Sequence, residues 1–353
     1  MKFIVYSSPG SASFVEKDLS ILRNSGNQVR HFNFKVSSKM GAFLSLISHL
    51  FFYLRNKNKI RGSVVMFGGY QSLVPVLFKK LFKIPVVIIP GGVDGVYISS
   101  IHYGHYGRTL MRKICDYSFR NASCLAPVHH SLIRSENHYT PGKIQHQGIM
   151  NLYPHIQTPV VEMHNGFDVA NWTMENNPER TTNSFITVAT GIENPKRGIL
   201  KGVDMIQFMA KSFPQYSFTI IGAKEEKQEG NIHYLPVLPH SELKAHYYKH
   251  TFYLQLSLSE GFPNALCEAM LCGCIPIGSA VGAIPDIIGD TGFILDKKDQ
   301  KKLIQVVENA IHLPLPLLSE KAKEKIARDY PLEKRSEIFE KIVGDFFQPM
   351  AEK

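Results

Sequence analysis

Residues 258–289, LSEGFPNALCEAMLCGCIPIGSAVGAIPDIIG, carry the clearest indication of the fold in this sequence. An apolar run, FYLQLS, leads into it and another, CIPIGSA, lies inside it, with a helical pattern from Pro263 to Leu271 between them. Buried strands joined by a helix form the repeating unit of a parallel α/β sheet. Two glutamates, Glu260 and Glu268, stand eight positions apart, with a Gly-Phe-Pro-Asn turn directly after the first. The pattern therefore predicts a strand, a turn and a helix with carboxylates at both ends of the turn region.

The start of this helix predicts an anion site. The first N–H groups of a helix have no partner within it, and proline is tolerated in the first turn. Phosphates are expected along the turn and the helix start, at Gly261, Phe262, Pro263, Asn264, Ala265 and Leu266. Glu268, one turn further on, is placed to accept hydrogen bonds from a ribose diol. Glu260 is expected near the group attached beyond the phosphates.

A basic segment, NPKRGILKG at residues 194–202, follows another predicted strand. Arg197 and Lys201 are both expected to reach the same phosphates and to stabilise a leaving diphosphate. Taken alone, the pair fits a solvated loop and helix start equally well. The sequence lacks G-x-G-x-x-G, G-x-x-x-x-G-K-[ST], D-x-D and H-E-x-x-H motifs, which disfavours dinucleotide, P-loop and common metal chemistries. Together the pieces predict a nucleotide-sugar site without metal.

The whole chain predicts two α/β domains of ordinary size. Its 353 residues are 44% hydrophobic, enough for two cores. Strands are predicted at KFIVYSS, QVRHFNF, SVVMFGG, PVVIIPGG, NASCLAPV, FITVAT, SFTIIGA, FYLQLS and CIPIGSA. Helices are predicted after the first strand up to Gly26, at 71–82, from about His130, at 203–212, at 241–248 and at 263–271. The polar run ENNPERTTNS, residues 175–184, predicts a linker or surface loop.

The predicted fold is two doubly wound, Rossmann-like halves, each carrying sites at the carboxyl ends of its strands and facing a shared cleft. We assign residues 1–168 to an N-terminal acceptor-binding domain and 169–330 to a C-terminal nucleotide-sugar-binding domain. A final helix from about Pro331 to Phe347 has no strand after it. It is expected to cross back to the first domain, within a segment of residues 331–353.

The charge of +10 is uneven along the chain. Residues 1–165 hold 19 Lys and Arg against 6 Asp and Glu, a balance of +13, and the remainder is at −3. Such asymmetry favours an anionic partner for the first half, either nucleic acid or an acidic membrane surface. Nucleic acid is the weaker explanation, because the sequence has no recognisable binding module for it.

Membrane spans, signal peptide and cysteine chemistry are not predicted. No run reaches the roughly 18 apolar residues needed to span a bilayer, and the apolar part of the N-terminus is too short for a signal peptide, so the expected compartment is the cytoplasm. The five cysteines form neither a disulfide framework nor a zinc motif, and are interpreted as small buried side chains.

The motifs SEGFPNALCEAMLCGCIPI, HNGFD, RGILKGVD and GAIPDIIGDTGFIL together resemble retaining glycosyltransferase family 4, whose members have the GT-B fold. The resemblance covers roughly Val160 to Phe347. It implies that Glu260 lies by the donor sugar, that Glu268 binds the ribose, and that the turn amides with Arg197 and Lys201 hold the diphosphate. It also implies a metal-independent reaction. By the same resemblance, Val237 and Leu238 belong to the wall of the nucleobase pocket.

The first half matches the family less well. The turn SSPGS with Gly10 takes the place of the family's glycine-rich turn after the first strand. Many members have a histidine after a mid-domain strand, whereas this chain reads IIPGGVDG there. Asp94, with Gly91 and Gly92, is the residue expected to approach donor or acceptor and is counted among the catalytic candidates. His102, His105, His129 and His130 stay open as histidine candidates.

Residues 37–62, SSKMGAFLSLISHLFFYLRNKNKIRG, allow two interpretations. Apolar side chains recur at helical spacing and basic residues flank them, as in a helix lying in a bilayer interface. A helix covering the sheet of the first domain, followed by a basic loop, explains the same pattern.

The sequence thus predicts a retaining glycosyltransferase that moves a sugar from a nucleotide-sugar donor to a glycan or lipid-linked acceptor in cell-surface polysaccharide or lipopolysaccharide synthesis. No cofactor is expected, and a UDP-sugar is favoured over a GDP-sugar. The alternative is a non-catalytic two-domain protein that binds a nucleotide sugar or a glycan. Replacement of Glu260 separates the two hypotheses, since only the first loses turnover.

Overall fold

A computed structural model describes residues 2–35, 38–140, 142, 144–174 and 179–347. The strands are β1 Phe3–Ser8, β2 Val29–Asn33, β3 Ile60–Met66, β4 Val86–Ile89, β5 Cys124–Leu125, β6 Ser135–Glu136, β7 His146–Gln147, β8 Thr181–Val188, β9 Ser217–Ala223, β10 Lys227–Glu229, β11 Ile232–Pro236, β12 His250–Gln255, β13 Ile275–Ser279 and β14 Phe293–Leu295. The α-helices are α1 Ser13–Asn24, α2 Lys39–Asn56, α3 Tyr70–Phe82, α4 Thr109–Asn121, α5 Ile149–Leu152, α6 Pro195–Leu200, α7 Val203–Ser212, α8 His240–Lys249, α9 Asn264–Leu271, α10 Ile284–Ile288, α11 Gln300–Ile311, α12 Leu315–Asp329 and α13 Leu332–Phe346.

The first compact unit comprises Met1–Ser135, His146–Asn165 and Glu333–Lys353. Its sheet has the order β2-β1-β3-β4-β5 with parallel pairing throughout. Val64, Val65 and Val87 are fully buried on its central strands, as expected for a parallel sheet covered on both faces. This is a doubly wound order whose direction reverses between β1 and β3.

The second unit comprises Glu136–Gln145 and Gly166–Leu332. Its sheet has the order β10-β11-β9-β8-β12-β13-β14, with β10 antiparallel at one edge and the rest parallel. Counted along the chain, the parallel strands follow the Rossmann order 3-2-1-4-5-6. Because the order reverses between β8 and β12, a ligand crevice is expected outside the carboxyl ends of those two strands.

The boundaries between the units differ from the predicted ones by two or three residues, at 166–168 and 331–332, and by one longer segment. Residues 136–145, predicted to be part of the first domain, belong to the second unit. The Asn137 side-chain amide donates to the carbonyl of Leu258 at 2.9 Å, and the Lys298 amide donates to the carbonyl of Tyr139 at 2.8 Å. This excursion of the chain was not readable from the sequence, because its partners lie more than a hundred residues away.

Two element predictions were wrong. In place of a helix from His130, only a 3₁₀ turn, His130–Leu132, forms, because the carbonyl of Ile133 accepts from the Met150 amide instead of continuing the helix. The predicted loop 175–184 becomes strand β8 from Thr181 onward, where Ser184 pairs with Ser217 of β9. Residues 175–178 of that prediction lie outside the described residues.

Helix α13 belongs to the first unit, as the predicted return of the C-terminal helix requires. Arg335 makes a bidentate ion pair with Asp18 of α1, at 2.7 and 2.9 Å, and both side chains are buried. Its other terminal nitrogen donates to the carbonyls of Met163 and His164 at 3.0 and 2.8 Å. Tyr6 also donates to Asp18, at 2.7 Å. One guanidinium therefore joins the last helix to the first helix and to a strand-like segment in the middle of the chain.

Helix α2 presents its apolar residues to solvent. It packs on the sheet through Ala42, Ser45, His49 and Tyr53. The opposite face exposes a stripe of large side chains, Met40, Phe43, Leu44, Ile47, Phe51 and Leu54. Among the described residues, no helix is both long enough and apolar enough to cross a membrane.

Candidate functional site

The site in the second unit is built around Glu260, just beyond the end of β12. Its side chain is only 13% exposed, and the Lys201 ammonium contacts its Oε1 at 2.6 Å. Ser257 Oγ and Gln255 Nε2 donate to the same oxygen at 2.8 and 3.2 Å. These contacts hold the carboxylate in a single orientation at the switch point between β8 and β12.

A chain of hydrogen bonds orients the donors to Glu260. The Val188 amide donates to Tyr253 Oη at 3.4 Å, and the Tyr253 hydroxyl donates to Gln255 Oε1 at 3.3 Å. Gln255 then directs its NH₂ toward Ser257 Oγ, at 2.9 Å, and toward Glu260. Each group in this chain of hydrogen bonds has a partner, so the Gln255 side-chain amide cannot flip without losing hydrogen bonds. The network therefore rigidifies the site.

Burial raises the pKa of Tyr253 far above its usual value, and the nearby carboxylates of Glu260 and Glu268 raise it further. Both predicted glutamates therefore act on the same buried tyrosine. The hydroxyl of Tyr253 stays protonated and remains a hydrogen-bond donor at any physiological pH.

Arg197 lies on α6, which begins where the Asn194 side chain accepts from the Lys196 amide, and Lys201 is the residue that caps its C-terminal end. Arg197 and Lys201 are four positions apart and so point to one side of this turn. Arg197 is exposed, and its guanidinium lies against Gly191, where an added Cβ would come within 3.0 Å of Nη1. Lys201 is directed instead toward Glu260. The two cations therefore differ in what holds them before any ligand binds.

The predicted phosphate segment forms a turn followed by α9, which begins at Asn264. Gly261, Phe262 and Pro263 are buried, and Asn264 and Ala265 are half-buried. Leu266 faces the core, and its amide donates to the carbonyl of Pro263 at 3.2 Å. The Leu266 amide is thus already hydrogen-bonded within the protein, so a bound anion would contact the residues of the turn that precede Leu266. Glu268 lies one turn further along α9 and is half-buried.

Val237 and Leu238 follow β11 at the carboxyl edge of the same sheet. Val237 is 68% exposed and Leu238 is half-buried. An exposed valine beside this edge fits a surface that a ligand covers.

In the first unit, Asp94 has a positioning role in the structure. It is fully buried, and its carboxylate accepts from the amides of Gly68, Gly91 and Gly92 at 2.8, 3.2 and 3.1 Å. Burial raises its pKa. A carboxylate engaged in this way fixes the turn after β4 and is poorly placed to act directly on a substrate, which disfavours the predicted catalytic role.

Gly10 has φ of +103° in the turn after β1, which favours glycine. Its amide donates to the carbonyl of Ser8 at 3.2 Å and to Asn33 Oδ1 at 3.0 Å. The turn is therefore ordered by its own unit. The open space around its Cα would let a ligand approach the backbone closely.

The candidate histidines have different surroundings. His102 is exposed, and its Nδ1 lies 3.4 Å from Tyr97 Oη. His105 Nδ1 lies 3.0 Å from the carbonyl oxygen of Gly68, and burial lowers its pKa despite the nearby Asp94. His129 is buried, and desolvation, together with His130 and His164, lowers its pKa to about 3.

Sequence reasoning missed Gln255, Ser257 and the glycines around Glu260. Gln255 and Ser257 alternate at the end of an otherwise apolar strand, which was a readable signal of polar groups aimed to one side. Gly282 has φ of +55°, and an added Cβ would lie 1.8 Å from the carbonyl oxygen of Glu260. That close approach depends on tertiary structure and leaves no local mark in the sequence.

Residues 182–329, which contain the whole Glu260 cluster, match the family described as glycosyl transferases group 1. A relative from Arabidopsis thaliana, one of the subunits of phosphatidylinositol N-acetylglucosaminyltransferase, is 25% identical over 150 residues. That match covers 38% of this chain and 34% of the relative, so the chain spans about a third of the relative's length.

Solved structures match over nearly the whole chain. Sucrose-phosphate synthase from Thermosynechococcus elongatus has a TM-score of 0.77 at 12% identity, covering 98% of this chain and 99% of its own. HepE from Anabaena, solved with UDP and glucose, has a TM-score of 0.69 at 12% identity, covering 98% and 100%. The chain has the predicted α/β GT-B fold, and the predicted resemblance to glycosyltransferase family 4 is confirmed at the level of this family and fold.

Proposed function

We propose that the protein is a retaining glycosyltransferase that transfers a sugar from a UDP-sugar to a lipid-linked glycan acceptor in surface polysaccharide or lipopolysaccharide synthesis. The observation that carries the proposal is the Glu260 cluster. A carboxylate fixed by Lys201, Ser257 and Gln255 stands at the topological switch point, directly before a helix N-terminus. That is the position at which doubly wound sheets bind nucleotides.

In the proposed reaction, an acceptor hydroxyl oxygen attacks the anomeric carbon on the face from which the donor phosphate leaves. The bond from that carbon to the phosphate oxygen breaks, and the departing oxygen takes the proton of the hydroxyl. Arg197, Lys201 and the turn before α9 stabilise the charge that develops on the diphosphate. Retention is inferred from the family resemblance. The cations supply this stabilisation without a metal.

Lys201 must change partner during this cycle. Its ammonium is held by Glu260 before a donor arrives, at 2.6 Å. A bound diphosphate competes for the same ammonium with two or more charged oxygens. Glu260 would then lose its contact with Lys201 and face the sugar, while Ser257 and Gln255 continue to donate to its Oε1.

The UDP-sugar assignment is supported by HepE, whose structures hold UDP, UDP with glucose, and UDP-glucose. Calorimetric titration with UDP, GDP, ADP and CDP in EDTA tests it. We expect UDP to bind, with affinity reduced about tenfold or more in Arg197→Ala and in Glu268→Ala, because a charge-assisted hydrogen bond contributes roughly 1.5–3 kcal/mol.

Lys196→Ala is the matched control for that titration. Lys196 is an exposed cation next to Arg197 on the same short helix. Equal losses of UDP affinity in Lys196→Ala and Arg197→Ala would show only a general effect of positive charge and no specific contact from Arg197. Binding of another nucleotide in place of UDP would overturn the donor assignment.

Glu260→Gln separates the enzyme from a non-catalytic nucleotide-sugar-binding protein. Glutamine keeps the shape and the hydrogen-bond acceptor but removes the charge. We expect UDP affinity to change little while transfer from radiolabelled UDP-sugars into lipid extract falls by a factor of about 10²–10³, as for loss of one electrostatic transition-state contact. A binding protein would show no turnover in the unmodified chain.

The lipid-linked acceptor is supported by helix α2. Its exposed apolar stripe lies opposite the face that packs on the sheet, and Lys39, Arg55 and Lys59 are exposed at its two ends. Leu77 and Leu81 of the adjacent α3 are also exposed. Apolar side chains flanked by cations suit the interface of a bilayer with anionic headgroups. We therefore propose peripheral attachment to the cytoplasmic face of a membrane.

Flotation with vesicles of phosphatidylcholine, with and without phosphatidylglycerol, tests this attachment. Binding is expected only with the anionic lipid at physiological salt, and Phe43→Ser with Phe51→Ser should abolish it. The control is Leu317→Ser, an exposed leucine on α12 in the second unit. Equal binding of all variants would contradict a role for α2.

A further inference from the structure

A cluster of His129, Glu162 and His164 lies at one edge of the sheet of the first unit. One ligand atom from each residue can be chosen so that all of them lie within 4.8 Å of one another. His164 Nε2 is 2.7 Å from Glu162 Oε1, and the His129 and His164 rings have centroids 5.5 Å apart. Two imidazoles and a carboxylate form a familiar ligand set for divalent transition metals.

The backbone explains why these side chains converge. Residues 160–163 run parallel to β5 and extend its sheet, with the Val161 amide bonded to the Leu125 carbonyl and the Met163 amide to the Pro127 carbonyl, both at 2.9 Å. Glu162 and His164 are two positions apart on this extended segment, so their side chains point to the same side. His129 follows β5 a few residues on. Both arms of the cluster thus leave adjacent strands at the same end.

The segment is held firmly from behind. Arg335, itself paired with buried Asp18, donates to the carbonyls of Met163 and His164. His130 adds to the anchoring of Glu162, because its amide donates to Glu162 Oε1 at 2.5 Å. A ligand set whose backbone is fixed in this way loses little conformational entropy when it binds an ion.

We propose that His129, Glu162 and His164 form a binding site for a divalent transition metal of the Zn²⁺ class. When the ion takes the place of the proton between His164 Nε2 and Glu162 Oε1, that proton leaves to water. The ligand atoms must then close to about 3.3 Å, as Zn–N and Zn–O bonds near 2.0–2.2 Å require. Glu162 and His164 are partly exposed and have room to turn.

Ser131 supports His129 as a ligand. His129 Nδ1 lies 2.9 Å from Ser131 Oγ. The Ser131 amide also donates to Nδ1, at 3.3 Å, so an ion at Nε2 requires the ring proton to move to Nδ1, where the Ser131 hydroxyl accepts it. Metal-bound histidines ordinarily direct their second nitrogen to such a partner.

The site is independent of the proposed glycosyl transfer, and it departs from the expectation that the chain binds no metal. Glu162 and His164 lie 33 and 35 positions after His129, a spacing that matches no short metal-binding motif. The ion would join the connection after β5 to the neighbouring segment and stabilise the first unit. The donor site in the second unit needs no metal under this proposal.

Titration of chelator-treated protein with Co²⁺ and Zn²⁺ tests the site. We expect one equivalent of Co²⁺ to bind with the visible absorption of a four- or five-coordinate ion, to be displaced by Zn²⁺, and to raise the melting temperature. Glu162→Gln and His164→Ala should each weaken binding by at least about tenfold. Because His129 is buried and its replacement risks misfolding, these partly exposed ligands carry the test.

His233→Ala is the matched control. His233 contacts Glu226 at 2.8 Å in an exposed His-Glu pair that is not part of a three-ligand cluster among the described residues. Its replacement should leave the Co²⁺ spectrum and stoichiometry unchanged. No saturable binding, or binding unaffected by both Glu162→Gln and His164→Ala in folded protein, would overturn the proposal.

Discussion

At the scale of single residues, the site depends on glycines that let backbone segments touch. Gly202 has φ of +72°, and a Cβ there would lie 2.1 Å from the Leu256 carbonyl oxygen. Gly282 brings the strand β13 connection equally close to Glu260. Both contacts are with backbone, which cannot rotate away as a side chain can. The position of Glu260 is therefore set by residues that carry no functional group.

Gly282→Ala should displace the backbone at Glu260. We expect a loss of several kcal/mol in the free energy of unfolding, or a shift of Glu260 with loss of activity, since the positive φ and the 1.8 Å approach both oppose a Cβ. Urea denaturation and nucleotide titration measure the two effects. Gly230→Ala is the control, with φ of +59° but open space around it, and should cost only about 1 kcal/mol. Equal costs at both positions would refute the role of close approach.

At the scale of elements, the sequence predicted helices and strands well where a regular pattern had clear ends. Helix α7 has the predicted bounds, and α9 and α13 begin one residue later than predicted. The sequence interpretation left out α4, α5, α10, α11 and α12; α10 lies inside residues 258–289, and α11 and α12 follow them. Helix α2 is the instructive case, because its spacing predicted a helix and left open which face packs. The face with small and polar side chains is the buried one, whereas hydrophobicity alone would place the apolar face against the sheet.

Burial of His49 makes the docking of α2 sensitive to acid. The ring stacks on Phe32 at 4.2 Å, lies 3.0 Å from Ser7 Oγ and meets the ring of Tyr53 edge-on. Burial lowers its pKa from 6.5 to about 3. Between these values the unfolded chain binds the proton and the folded chain does not. The contribution of neutral, buried His49 to the free energy of unfolding is therefore fully present above pH 6.5 and decreases as the pH falls below that value.

His49→Asn should flatten this dependence. At pH 5 the neutral buried ring costs the folded state about 2 kcal/mol relative to pH 7, at roughly 1.4 kcal/mol per pH unit. Urea unfolding measures the free energy of unfolding at pH 7 and at pH 5, and the difference between the two should be about 2 kcal/mol smaller in the variant. Part of the difference should remain, because burial also lowers the pKa of His250, to about 4. An unchanged difference would mean that His49 is protonated in the folded state.

At the scale of the whole molecule, the chain builds its units from discontinuous pieces. The sequence predicted two Rossmann-like halves and a returning last helix, because strand and helix patterns are local. It did not reveal that residues 136–145 join the second unit or that Arg335 pairs with Asp18, since 317 positions separate those two. The Glu260 cluster was half readable: its charged members stand in motifs, while Gln255 and the glycines are defined by packing.

Removal of the Arg335 guanidinium should destabilise the first unit selectively. Arg335→Ala leaves Asp18 buried and unpaired, a change that typically costs about 3–5 kcal/mol. Hydrogen exchange followed by peptide mass spectrometry should show faster exchange in α1, β1 and α13, with little change in β8 to β14. Arg328→Ala, which removes an exposed partner of Asp329, should cost less than about 1 kcal/mol. Uniform acceleration in both units would argue against a local role.

The dependence of the first unit on its last helix has a consequence for protein synthesis. Asp18 lies 317 positions before Arg335, so the ribosome must add some 300 residues before the pair can form. At about 5–20 residues per second, the N-terminal segments wait roughly 15–60 s for that partner. The second unit, whose residues are all made before Arg335 emerges, can mature during this interval. The order of folding is then the reverse of the order of synthesis, and a nascent chain stalled before α13 would hold a finished second unit and an unfinished first unit.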